Sequence, residues 1–106
     1  MKSREQFKKF EKKIWSCIKT KGTKVDYSPM LKYSKEILKM AEIIIETGDK
    51  EMIEDISNII IPLFLTDNKE FKKEAICIYK KHTEDPAVNY NLNILLSLFW
   101  WRQYVG

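Results

Sequence analysis

Apolar residues return every three or four positions along almost the whole chain, which is the period of an amphipathic helix. Placing residues about 100° apart puts Phe7, Phe10, Ile14, Cys17 and Ile18 on one side of a first helix over 3–20. Lys8, Lys9, Lys12, Lys13 and Lys19 fall on or beside the opposite side. Gly22 stops this helix, and residues 21–28 form the longest loop. A second helix, over 29–47, opens with Ser28 as N-cap and Pro29 at its first position, where a missing N–H costs nothing. Its apolar residues, from Met30 through Tyr33, Ile37, Leu38, Met40, Ala41 and Ile44 to Ile45, cover about half the circumference. A stripe that wide implies more than one neighbour.

Gly48 ends the second helix and Asp49 starts a third over 50–65, which buries Met52, Ile53, Ile56, Ile59, Ile60 and Leu63. Pro62 kinks or ends it by removing a backbone hydrogen bond. Asp67 and Glu70, at capping-box spacing, open a fourth helix over 68–82 with Phe71, Ala75, Ile78, Tyr79 and His82 in its stripe. Asp85 and Pro86 open a fifth over 86–104. The three later junctions resemble one another. Each has a Thr (Thr47, Thr66, Thr83), then a cap residue, then an apolar residue, at spacings of 19 and 17. No segment alternates with period two, so no sheet is expected. The pattern predicts one all-α domain over 1–106, a compact antiparallel bundle of about five helices, with a short helical-repeat-like array as the other arrangement of the same hairpins.

Composition narrows this little. Three Gly and three Pro leave no linker, and two cysteines are too few for a disulfide scaffold. No signal peptide is visible and no apolar run approaches the roughly 20 residues of a membrane span, so a cytoplasmic protein without a transmembrane segment is expected. Charge is uneven. Nine of nineteen basic residues lie in the first 25 positions against two acids, whereas the other 81 residues carry ten basic and thirteen acidic groups. Lys outnumbers Arg by 17 to 2 and Ile occurs fourteen times, a bias that base composition of a genome can impose without any functional demand.

Catalytic chemistry finds little support. His82 is the only histidine, and neither His-x-x-x-His nor Cys-x-x-Cys occurs. Cys17 sits on an apolar stripe, while Cys77 lies between Lys73 and Lys81 without a histidine partner in pattern. Glu42/Glu46 and Glu51/Asp55 read as solvated helix surface, and no glycine-rich phosphate loop exists. The expectation is a protein that is not an enzyme, with no cofactor and no metal.

Two surfaces remain. The fifth helix carries a core stripe of Val88, Leu92, Leu95, Leu96 and Phe99, and a second apolar stripe of Tyr90, Ile94, Leu98 and Trp101. It ends in Phe99-Trp100-Trp101-Arg102-Gln103-Tyr104, rich in the residue types of interface hot spots. Tyr90, Ile94, Leu98, Trp100, Trp101 and Tyr104 are therefore the candidate surface for another protein or for self-association. The lysines of the first helix (Lys8, Lys9, Lys12, Lys13 and Lys19) are the alternative, a face for nucleic acid or for a peripheral membrane contact. Lysines alone give salt-dependent binding without sequence readout. In size, charge and helix content the chain resembles small helical proteins of bacterial conflict systems: bacteriocin-immunity proteins, antitoxins and phage-encoded inhibitors. That resemblance, one of profile, implies a protein-binding inhibitor or adaptor, and the apolar fifth helix is expected to contact the partner or a second copy.

Overall fold

The computed structural model describes the backbone of residues 2–105 and, within it, the side chains of residues 4–18, 20 and 22–101. Five α-helices dominate: α1 (Lys2–Trp15), α2 (Ser34–Thr47), α3 (Lys50–Leu63), α4 (Lys69–Lys80) and α5 (Pro86–Val105). The architecture is all-α, as the periodicity implies.

The segment between α1 and α2 departs from expectation. The first helix stops at Trp15, five residues early, and the chain then forms a small antiparallel ribbon of β1 (Lys19–Lys21) and β2 (Lys24–Asp26). Gly22, at φ +62°, takes the first central position of the two-residue turn, where a type II′ hairpin requires positive φ. A 3₁₀ helix, Ser28–Tyr33, follows before α2 begins at Ser34. Ser28 is not the cap. Asp26 accepts from both the Ser28 amide (3.0 Å) and its hydroxyl (2.7 Å), so Asp26 directs the turn.

The later junctions follow their shared chemistry. Thr47 and Thr66 each donate a hydroxyl hydrogen bond of 2.6 Å to a carbonyl three residues back, Ile44 and Leu63. Gly48, at φ +70°, closes α2 in the left-handed region. Asp49 then accepts the Met52 amide at 3.2 Å, and Asp85 accepts the Ala87 amide at 2.9 Å. The α4 cap is Asn68 rather than Asp67, since Asn68 Oδ1 accepts the Phe71 amide at 3.0 Å. Pro62 falls in the last turn of α3 and ends it. Beyond it the chain tightens, with the Phe64 amide on Ile61 and the Leu65 amide on Pro62.

The packing order shows which helices of the bundle are neighbours. In a ring following chain order α3 would lie against α4 and α5 against α2. Instead α2 packs on α3 and α4, and α5 packs on α3 and α4. The short connections make α2/α3 and α4/α5 antiparallel hairpins. The second packs on the first, with α2 beside α4 and α3 beside α5. The two hairpin turns also meet, because a Cβ placed on Gly48 would lie 3.9 Å from Asp85 Oδ2. Between the layers lies a core of Ile37, Ile44, Ile53, Ile56, Ile60, Leu63, Phe64, Tyr79, Val88 and Leu95, none of them accessible to solvent. α1 docks on α3, burying Phe7 and Ile14 completely.

Candidate interaction face on the C-terminal helix

The chain between Pro86 and Trp101 contains no Asp, Glu, Lys or Arg, although charged residues make up 32% of the protein. α5 is thus a long helix started by the Asp85 cap and free of charge from Pro86 to Trp101. Its inner half is conventional core: Ala87, Val88, Leu92 and Leu95 are buried, and Leu96, Leu98 and Phe99 pack against them from the sides. Asn91, also buried, turns its amide back to the Ala87 carbonyl at 2.8 Å and so stays satisfied.

The outward half is where α5 differs from the other helices. α2 and α4 present Lys and Glu to solvent (Lys35, Lys39, Glu42 and Glu46 on α2; Glu70, Lys73, Glu74 and Lys80 on α4). α5 presents Tyr90, Asn93, Ser97, Trp100 and Trp101. Tyr90 is 68% exposed, Trp100 57% and Trp101 62%, the three most exposed large apolar side chains among the described residues. Trp100 is braced edge-on against Phe99, with ring centroids 6.0 Å apart. The Ser97 hydroxyl donates to the Asn93 carbonyl at 2.9 Å.

The stripe expected from the sequence was Tyr90, Ile94, Leu98 and Trp101, and the fold splits it. Steps of four residues overshoot a helical turn by about 40° each, so Ile94 and Leu98 walk round toward the core. Both are half-buried. The stripe that stays outward steps alternately by three and four: Tyr90, Asn93, Ser97 and Trp100, with Trp101 beside it. Asn93 and Ser97 were missed because they are polar, and the alternating step was the signal that identifies them. Tyr104 lies outside the described side chains.

The basic face of α1 is partly consumed in holding α1 to the bundle. Arg4 reaches Asp49 at 2.6 Å and Glu51 at 3.8 Å, and Lys8 reaches Asp55 at 3.5 Å and Glu11 at 3.6 Å. Lys13 lies 3.9 Å from Glu36 on α2 and 4.7 Å above the Tyr33 ring. The Asp49 carboxyl is held below its usual range by the Arg4 hydrogen bond first and the Met52 amide second. Lys8 is held above its usual range, by Glu11 first and Asp55 next. Lys9 and Lys12 are exposed, without an ion pair among the described residues, and the Lys19 side chain lies outside them. Asp49, Glu51 and Asp55, at the start of the third helix, were the acids that could have announced this docking.

The remaining chemistry is dispersed. His82 is half-buried at the end of α4, its Nδ1 3.5 Å from Glu84, over a shallow depression lined by Glu42, Glu46, Ile78 and Lys81. Cys17 is half-buried and Cys77 exposed, both as free thiols. Among the described residues no cluster of His, Cys, Asp or Glu is arranged to hold a metal ion, and no helix is long and apolar enough to cross a membrane. The chain matches no known protein-family model, no curated protein sequence and no solved structure.

Proposed function

We propose that this protein is a non-enzymatic protein-binding module that works through the outward face of α5. One observation carries the reading: a helix without a charged residue from Pro86 to Trp101 keeps Tyr90, Trp100 and Trp101 more than half exposed. Leaving two indoles and a phenol ring in water forgoes roughly 25 cal/mol per Å² of apolar surface that a partner would cover. Trp and Tyr also dominate the residues whose truncation most weakens protein complexes. The role as an inhibitor or adaptor of the kind found in bacterial conflict systems belongs to this proposal, as does a cytoplasmic setting. Nucleic-acid binding by the lysines of α1 is the weaker reading. Arg4, Lys8 and Lys13 already face carboxylates of the same chain, which leaves Lys9 and Lys12 among the described lysines of α1 to meet phosphates.

The test is a photoreactive amino acid at Ser97, in the middle of the face, and at Lys39 on the charged face of α2 as control. After irradiation of cells producing the protein, the reading predicts a discrete protein adduct from Ser97 alone, lost in Trp100→Ala/Trp101→Ala. No adduct, or equal adducts from both sites, would contradict it.

A further inference from the structure

From the arrangement of this face we infer that its occupant is a second copy of the same chain, packed antiparallel, α5 against α5. The inference rests on the proposed binding role of the face and names its partner. Two observations lead to it.

The first is the order of the outward residues. Tyr90 and Trp100 lie equally far on either side of residue 95, and Asn93 and Ser97 do so nearer the middle. A two-fold axis through that point brings Tyr90 of each copy onto Trp100 of the other at both ends. Asn93 then meets Ser97 at the centre. The chemistry matches at each pairing. Aromatic rings meet aromatic rings, and the two small polar residues let the helices approach closely where they cross. Because the Ser97 hydroxyl hydrogen is already given to the Asn93 carbonyl of its own helix, its oxygen is left to accept. The Asn93 amide of the other copy is a donor with the right reach. A polar pair in an otherwise apolar seam sets register and orientation in helix pairs. Parallel packing would set Tyr90 on Tyr90 and Asn93 on Asn93 without that donor–acceptor match.

The second observation is charge. Each copy carries a net charge of +4 at neutral pH, concentrated in its first 25 residues, so two copies repel most where those basic ends approach. The outward face of α5 is the long face from which charge is missing: no charged residue occurs from 86 to 101. An acidic partner would be drawn instead to the basic end of the molecule, where Lys9 and Lys12 stand exposed. A like-charged partner meets the least repulsion on a neutral face.

Two measurements test this. Light scattering of the purified protein should give twice the chain mass of 12.7 kDa. Trp100→Glu should halve it while leaving the helical circular dichroism unchanged. Tyr90→Lys, at the other end of the face, should do the same and stands in if the first variant fails to fold. Orientation is then read in a Cys17→Ser/Cys77→Ser background by oxidising Asn93→Cys and Ser97→Cys chains, separately and mixed. Antiparallel pairing predicts more disulfide-linked dimer from the mixture than from either alone. A wild-type monomer at every concentration up to the solubility limit would overturn the inference. Equal or better linking within the single variants would overturn it too. A monomer whose Ser97 probe still captures a different protein in cells would sink the second copy and leave the binding role standing.

Discussion

At the scale of single residues, the buried pair Ser57 and Tyr79 shows how a polar group is kept in a core. Their oxygens lie 2.7 Å apart, and Ser57 Oγ is also 2.6 Å from the Ile53 carbonyl. A carbonyl only accepts, so the serine hydrogen goes to Ile53 and Tyr79 must be the donor to Ser57. The consequence is asymmetric. Tyr79→Phe removes a donor and leaves Ser57 satisfied by Ile53, at a cost of about 1 kcal/mol. Ser57→Ala strands a buried hydroxyl and should cost more, about 1–3 kcal/mol. Urea unfolding of the two variants checks the order; a more damaging Tyr79→Phe would contradict the donor assignment. Burial pushes the Tyr79 hydroxyl up to about 12. Its unfolded value is about 10, so the unfolded chain loses this proton first. This contribution is therefore intact below pH 10 and is lost between about 10 and 12, by close to tenfold in the folding constant per pH unit. Tyr79→Phe should remove that part of the alkaline loss. The apolar stripe of the fourth helix placed Tyr79 in the core, but its partner was not legible, because a lone serine in a helix carries no sign of which side it faces.

At the scale of elements, Asp49 joins two tasks by capping α3 and receiving Arg4 from α1. Its depressed carboxyl stabilises the fold above the ordinary unfolded value for Asp, and that contribution is lost as pH falls through the depressed folded value. Arg4→Gln should raise the Asp49 pKa part of the way back, because the Met52 amide remains. A carboxyl-carbon NMR titration reads this, and an unchanged midpoint would mean the ion pair does not form in solution. Asn68→Ala should cost about 1 kcal/mol, with Asp67→Ala nearer neutral, if Asn68 is the cap. Most helix boundaries were readable because caps are local chemistry: Gly48, Asp49 and Asp85 act as their positions imply. Asp67 and Asn68 are adjacent and both able to cap, and only backbone geometry separates them. The ribbon at 19–26 was unreadable for another reason. Period-two alternation records the burial of one strand face, and every residue of β2 is exposed.

At the scale of the whole molecule, recurring Thr-to-cap junctions and short turns already allowed stacked hairpins. They did not select them, because a simple bundle uses the same turns. The order α2–α3–α5–α4 around the core shows how the two hairpins lie side by side in the bundle. A helix at the surface of a bundle normally turns a polar face to water, and α5 departs from that rule with Tyr90, Trp100 and Trp101. The reversed pattern on α1 follows from the same view. Its lysines looked like a free cationic face, but three of its cations are set against acids of α1, α2 and α3. Lys9→Glu/Lys12→Glu should therefore leave the association state unchanged, as judged by light scattering across salt concentrations.

The account turns on Trp100 and Trp101 being open in an isolated chain and covered in a paired one. Trp15 is the only other tryptophan, so a Trp15→Phe protein reports on this pair alone. Acrylamide quenching of its fluorescence, followed from dilute to concentrated protein, is the most direct measurement. Strong quenching with red emission at low concentration, giving way to weaker quenching and bluer emission as copies pair, is the predicted result. Quenching that is weak in dilute solution, or that never changes with concentration, would contradict it.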